Sequence, residues 1–260
     1  MPELPDVEVF KKEAEKALDK EIETFHGKES KLLSHTEKEI NGFLRGKSFH
    51  KAYRRGKYLF LITNSPKAVA MHFGMTGVLT YSAKEKDPPP YTLCSFYLKN
   101  QHGLHYISRR KLGKVELTRD YQEYIRQNEI GTDALEISKK DFLKKLNESK
   151  SMVKRFLTDQ SALSGIGNIY ADEILFQVKL HPKEKTYELT DNQKEELYEQ
   201  VRKVLKTAVE KQADVKKFPR HFLLPVRKEG EKCPRCERSI EKISVSGRTG
   251  YYCKHCQKPG

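Results

Sequence analysis

Two cysteine pairs near the C-terminal end constrain this chain more than any other feature: Cys233-Pro-Arg-Cys236 and Cys253-Lys-His-Cys256, with 16 residues between them. Each pair can turn two thiolates toward one ion from a tight knuckle, and the spacing is that of a four-cysteine zinc site. Two disulfides or a redox CxxC would use the same residues. With no secretion signal and both pairs crowded at one end, one structural Zn2+ is expected. His255 lies inside the second pair, but four cysteines already close a structural site. Cys94 sits in the apolar run YTLCSFYL and reads as a buried core thiol.

Ahead of the cysteines the chain splits in two, which makes the fold class α+β. Residues 5–19 read as a helix with Val7, Phe10, Ala14 and Ala17 on one face, and Ile22–His26 is strand-like. Thr36-x-x-Glu39 is a capping box for a short helix ending near Gly46. From Lys47 to Arg119 the segments KYLFLIT, AVAMHF, GVLTYS, YTLCSFYL, LHYIS and KVELT are separated by turn residues, as in a β-sandwich or barrel. Asp87-Pro-Pro-Pro90 reads as a loop. The second half is helical. Helices are expected from Ser138 to Glu148, Met152 to Leu157, Asn168 to Val178, and from the Thr190-x-x-Gln193 box to about Gln212. The expected domains are 1–125, 126–215 and 216–260.

Lys plus Arg number 50 against 36 acids, a net charge of +14. The stretch 201–260 alone has 16 Lys/Arg and 6 Asp/Glu, so most of the excess is C-terminal. Such a balance implies a polyanionic partner, nucleic acid before an anionic membrane. No run of 18 apolar residues exists, so no membrane span is expected.

Three stretches are candidates for chemistry. The first is Met-Pro-Glu-Leu-Pro-Asp at the start. Once Met1 is removed, Pro2 carries a secondary amine with a basicity near that of an α-amino group, about 8. Such an amine can attack a carbonyl-like carbon and form an iminium, with the carboxyl of Glu3 beside it as proton donor or acceptor. The same residues also suit an ordinary N-terminal arm opening a helix. The second stretch is Ser164-Gly-Ile-Gly-Asn168, a glycine turn before a helix. Free amides at a helix start attract phosphate, and Asn168 can add its side-chain amide, but plain turn chemistry uses the same pattern. The third is a pair of loops, His72-Phe-Gly-Met-Thr-Gly77 and Ser108-Arg-Arg-Lys-Leu-Gly113. Apolar tips flanked by cations can enter and unstack a duplex. Alternatively, Met75 and Leu112 are buried between strands and the cations form a solvated face. Lys57, in Arg54-Arg-Gly-Lys-Tyr58, would by itself be an ordinary surface cation.

Taken together, the MPELP start, RRGKYL, HFGMTG, DQSALSGIGNIYADE and the terminal CPRC…GRTGYYCKHCQK resemble the formamidopyrimidine-DNA glycosylase and endonuclease VIII family of bifunctional DNA glycosylases. The resemblance covers nearly the whole chain. It implies an N-terminal β-sandwich with flanking helices, a C-terminal helix-two-turn-helix domain and a zinc-finger β-hairpin. It also implies an enzyme of base excision repair. Pro2 would be the nucleophile at the sugar C1′, Glu3 the acid/base and Lys57 a lysine near the sugar and phosphate. His72, Asn168 and Arg248 would grip phosphates. Met75, Arg110 and Leu112 would fill the hole left by the flipped base. The implied partner is damaged double-stranded DNA bound by a monomer, since one extruded nucleotide needs one cleft. The implied location is the bacterial cytoplasm (nucleoid) or a eukaryotic nucleus.

The chain also departs from that family's pattern. Leu112 stands where formamidopyrimidine enzymes usually have Phe, Ser108-Arg109 where Asp is followed by Pro or Thr, and Asp6 where Glu is usual. Ala213–Lys232 lacks the glycine-rich loop that caps 8-oxoguanine, and its Phe218-Pro-Arg-His-Phe222 has no assigned counterpart. These departures bear on the substrate and point to a broad or oxidised-pyrimidine preference. A catalytically inactive lesion- or junction-binding protein of the same fold is the alternative, and the presence of Pro2, Glu3 and Lys57 together argues against it.

Overall fold

The alternating segments of the first half pair into two four-stranded antiparallel sheets. A computed structural model describes residues 1–28, 31–64, 67–84 and 88–258. One sheet runs in the order β1 (Ile22–Gly27), β6 (Thr92–Leu98), β7 (His102–Ser108), β5 (Gly77–Ala83). The other runs β2 (Phe49–Arg55), β3 (Tyr58–Thr63), β4 (Ala68–His72), β8 (Lys114–Thr118). Their inward residues form one core, with Phe25, Leu79 and Phe96 from the first sheet meeting Phe49, Leu61 and Met71 from the second. Phe96 sits 4.9 Å from Phe25 and 5.6 Å from Phe49 between ring centroids. The arrangement is a two-layered sandwich, which decides between the two all-β forms that the turn spacing allowed.

Helices close the sandwich. The helix α1 (Leu4–Glu15) contributes Val7, Phe10 and Ala14 to the same core. Thr36 and Glu39 cap α2 (Glu37–Leu44) reciprocally. On α2, the amide of Asn41 accepts the N–H of Phe25 at 2.8 Å and donates to its carbonyl at 2.8 Å. That side chain pairs with the outer edge of β1 as another strand would. Two elements of the sandwich half escaped the sequence reading. A bulge between Phe49 and Lys51 breaks the alternation of β2. The short α3 (Tyr121–Gln127) buries no residue, so it leaves no periodic signal, although Tyr121 and Tyr124 sit against Phe60. Asp87 of the expected proline loop lies outside the described residues, and 88–90 hold no regular element.

Met1–Pro2 and Asp6–Glu129 make one compact unit; Glu3–Pro5 and Ile130–Gly260 make the other. The second contains α4 (Lys139–Glu148), α5 (Val153–Thr158), α6 (Asn168–Gln177) and α7 (Asp191–Glu210) around one core that includes Leu4. Ser138 caps α4 and a Thr190–Gln193 box caps α7, as their sequences require. A two-residue parallel pairing of β9 (Thr132–Asp133) with β10 (Leu163–Ser164) ties the start of this unit to the turn before α6. Phe218 and Phe222, unassigned in the sequence, pack into the helical core with ring centroids 5.6 Å apart. The chain ends in the hairpin β11 (Glu241–Val245) and β12 (Arg248–Tyr252), flanked by the cysteine knuckles. Among the described residues, no helix is long and apolar enough to cross a membrane.

Candidate functional site

Within the second unit, α6 begins at Gly167, which has no side chain to cap the helix. Glu3 supplies the cap from 164 residues away. Its carboxylate accepts N–H bonds from Gly167 at 2.7 Å, Ile169 at 2.9 Å and Tyr170 at 3.2 Å. The side chain is 1% exposed, so the helix dipole and these amides together replace its lost hydration. Leu4 adds a backbone bond to Gly165 at 2.9 Å. The glycines of Ser-Gly-Ile-Gly exist for these two residues. A Cβ on Gly167 would lie 2.3 Å from Oε1 of Glu3, and one on Gly165 would lie 2.7 Å from Leu4. Three of the amides that the sequence offered to phosphate therefore hold the chain's own carboxylate.

Asn168 turns its amide the other way and donates to the carbonyl of Thr249 at 2.6 Å. This bond ties the start of α6 to the hairpin tip, where Ser246 and Gly247 both have positive φ, as a two-residue turn requires. Arg248 is exposed beside that tip. Behind it lies a buried ion cluster that sequence reading missed. Asp172 pairs with Lys154 at 2.6 Å and Arg227 at 2.7 Å, and accepts the Tyr251 N–H at 3.0 Å. Burial, with Arg227 nearby, lowers the pKa of Lys154 despite Asp172. Gly250 leaves room for Lys154, whose Nζ would lie 2.2 Å from a Cβ there.

The four cysteine sulfurs converge at the base of the hairpin, all within 4.8 Å of one another. Cys233 and Cys256 are 3.9 Å apart, and Cys236 and Cys253 3.5 Å. A tetrahedral ion with metal–sulfur bonds of about 2.3 Å would set its sulfurs about 3.8 Å apart. The donor set therefore fits zinc, and these separations are too long for disulfides. Arg235 fastens this knuckle to α6, donating to the carbonyls of Phe176 at 2.6 Å and Gln177 at 3.2 Å.

In the first unit Lys57 occupies the two-residue turn between β2 and β3, yet it is only 7% exposed. Gly56 takes φ +57 there, which the turn demands. Arg54 braces the turn by donating to Gly56 O at 3.2 Å and to Glu8 at 2.7 Å. Burial raises the Glu8 carboxyl's pKa, but Arg54 and Lys11 outweigh it and hold the pKa below the usual value. His72 pairs in register with Tyr58, the neighbour of Lys57. Burial, with Lys57 and Lys114 nearby, pushes its imidazole pKa down to about 4, so it is neutral at pH 7. Its Nδ1 accepts the Gly74 N–H at 3.3 Å, which leaves the Nε2 hydrogen to donate.

The two cation-flanked loops come together. The hydroxyl of Tyr106 donates to the carbonyls of both His72 and Leu112, at 3.1 and 3.3 Å. Arg110 donates its N–H to Thr76 at 3.2 Å. Gly74 rests on the Leu112 backbone so closely that a Cβ would meet it at 2.6 Å. Met75 and Leu112 are 44% and 40% exposed, so they are loop tips and not buried between strands. Arg110 is exposed with them.

Comparison with known proteins agrees with this build. Residues 1–115 match the formamidopyrimidine-DNA glycosylase N-terminal domain, 130–219 the H2TH domain of the same enzymes, and 230–259 the zinc finger found in FPG and IleRS. The formamidopyrimidine-DNA glycosylase of Pelotomaculum thermopropionicum is 33% identical, with 99% of each chain covered. Two solved structures of the Lactococcus lactis enzyme are similar over 99% of this chain and 100% of theirs. One, bound to DNA with an N7-benzyl-Fapy-dG, is 28% identical with a TM-score of 0.86. The other, bound to oxidised-pyrimidine DNA, is 27% identical with a TM-score of 0.87. The chain belongs to the formamidopyrimidine-DNA glycosylase family.

Glu173, also on α6, gives this half a pH signature. It is fully buried, accepts the Leu224 N–H at 2.8 Å and an amide hydrogen of Gln177 at 2.6 Å, and burial pushes its pKa up to about 7. The folded state thus holds a proton between the ordinary value of 4.5 and about 7 that the unfolded state has released. That favours folding at low pH and is lost as pH rises through about 7, by up to about 3 kcal/mol. Glu173→Gln should remove this slope in urea unfolding followed from about pH 5 to 8. Parallel wild-type and variant profiles would contradict the assignment.

Proposed function

We propose that this chain is a base-excision-repair DNA glycosylase that also cleaves the strand, using Pro2 as nucleophile. The observation that carries the reading is the seating of Glu3 on the α6 amides, because it pins the residue bonded to Pro2. After removal of Met1, the lone pair of Pro2 attacks C1′ of a flipped nucleotide as the bond to the damaged base breaks. The base leaves with the proton that the Pro2 nitrogen gives up, O4′ takes a proton as the ring opens, and C1′ is left as an iminium on Pro2. That iminium acidifies C2′. Loss of a C2′ proton expels the 3′ phosphate, and a second elimination expels the 5′ phosphate. Glu3 serves as acid/base in ring opening and proton transfer. Lys57 and the Nε2–H of His72 face the phosphate and sugar. Asn168 and Arg248 hold flanking phosphates, and Met75, Arg110 and Leu112 occupy the vacated stack. One extruded nucleotide needs one set of these residues, so the chain acts as a monomer.

The four thiolates would hold one zinc ion whose contribution is structural: it closes the base of the hairpin that presents Arg248. For substrate, we infer a broad range or a preference for oxidised pyrimidines. Supporting this are the leucine at 112 and a 213–232 segment whose Phe218 and Phe222 are spent on the helical core, with no glycine-rich loop to close over a purine.

Borohydride reduction of the protein, with a free N-terminus, on an abasic-site duplex should give a covalent band that Pro2→Gly abolishes. No band from protein shown by mass to lack Met1 would refute the lyase reading. Metal analysis should find about one zinc per chain, lost together with DNA binding in Cys253→Ser; retained metal and full affinity would refute the site. Dihydrouracil should be excised at least comparably to 8-oxoguanine opposite cytosine. Far faster cutting of 8-oxoguanine would overturn the substrate inference.

A further inference from the structure

The loop that bears Arg110 and Leu112 has a neighbour that the reading above leaves unused. Tyr91 is 59% exposed and takes a left-handed backbone, φ 63, which is uncommon for a bulky residue. A turn enforces it: Thr92 bonds back to the Pro89 carbonyl through its N–H at 3.2 Å and its hydroxyl at 2.6 Å. The Tyr91 carbonyl accepts the Ser108 N–H at 3.1 Å, which joins this turn to the start of the wedge loop. Over the exposed ring lies the guanidinium of Arg109, 5.2 Å from its centroid. Arg109, Arg110 and Lys111 are three consecutive exposed cations, and no carboxylate among the described residues pairs with them. The stacked pair includes one of the positions at which this chain departs from the usual family pattern.

We propose that the Tyr91–Arg109 stack is an additional contact for duplex DNA, gripping a backbone phosphate beside the wedge formed by Met75 and Leu112. The inference rests on the reading that those loops face damaged DNA. Arg109 is exposed although its guanidinium lies over the ring, and no carboxylate among the described residues takes its N–H groups, which suit two bonds to phosphate oxygens. Stacking also limits the rotamers of Arg109, so less freedom is lost on binding. A phosphate contact carries no base preference, so it strengthens binding equally across sequences.

The test is fluorescence anisotropy with a duplex carrying a tetrahydrofuran abasic analogue, titrated at several KCl concentrations. Arg109→Ala should reduce the slope of log affinity against log salt by about 0.9, the value for one phosphate, and weaken binding about tenfold at low salt. Tyr91→Ala should move both in the same direction by less. Tyr91→Phe, which keeps the ring, should match wild type. Both sites are exposed, and the melting temperatures of all three variants should be unchanged. An unaltered slope in Arg109→Ala overturns the proposal. So does a loss that depends on the base opposite the lesion, which would make Arg109 a base reader. Borohydride trapping at saturating protein separates this from the catalytic reading. Arg109→Ala should trap as well as wild type, whereas failure of wild type to trap would sink the lyase reading and leave the salt slope to decide the phosphate contact.

Discussion

The carboxylate of Glu3 on the N-terminus of α6 is the interaction on which the start of the chain and the turn before α6 depend. A buried carboxylate without partners would be costly, and an uncapped helix start would leave amides unsatisfied. Here each resolves the other. The arrangement also explains why the turn before α6 has glycine at 165 and 167, since any side chain would occupy the space of Leu4 or Glu3. The result is that Glu3, two residues from the start, is buried like a core residue. Pro2 lies one peptide unit away, about 3.8 Å between Cα atoms, so its position follows from that of Glu3. An N-terminal amine on a frayed arm would have to be ordered at every turnover; under the proposed mechanism the amine of Pro2 would be ordered beforehand.

The same economy of polar groups runs through both units. Arg54 reaches Glu8 and the Gly56 carbonyl, so the turn carrying Lys57 is fixed although it is a turn. Tyr106 spends one hydroxyl on two loop carbonyls and brings Met75 to the side of Leu112. Asp172 draws α5, α6 and β12 together, and Asn168 adds the hairpin tip. In each case rigid elements carry the exposed residues, and short bonds from buried residues aim them.

What the sequence made legible was local. The Thr36, Ser138 and Thr190 caps mark their helices because cap and helix lie within four residues. The alternating runs mark their strands, and the CxxC pairs bring four sulfurs to one point. What stayed hidden depended on partners far apart in the chain. Nothing near Gly167 announces that Glu3 will cap it. The ion cluster of Lys154, Asp172 and Arg227 joins residues up to 73 positions apart, each ordinary in its own segment. Helix α3 has no buried face to create a period, and the bulge in β2 erases one. The exposure of Met75 and Leu112 was open between two readings until Tyr106 and Gly74 were seen to pin the loops with their tips outward.

The most direct test of this account is the single-turnover excision rate of Gly167→Ala, with DNA affinity measured on the same protein. The new methyl would lie 2.3 Å from Oε1 of Glu3, so Glu3 must shift on its amides and carry Pro2 with it, while no residue of the proposed catalytic or wedge set is itself replaced. The account predicts a rate about a hundredfold lower, with affinity for an abasic-analogue duplex within a few-fold of wild type. Excision at the wild-type rate would contradict it, because catalysis would then not depend on where Glu3 is held.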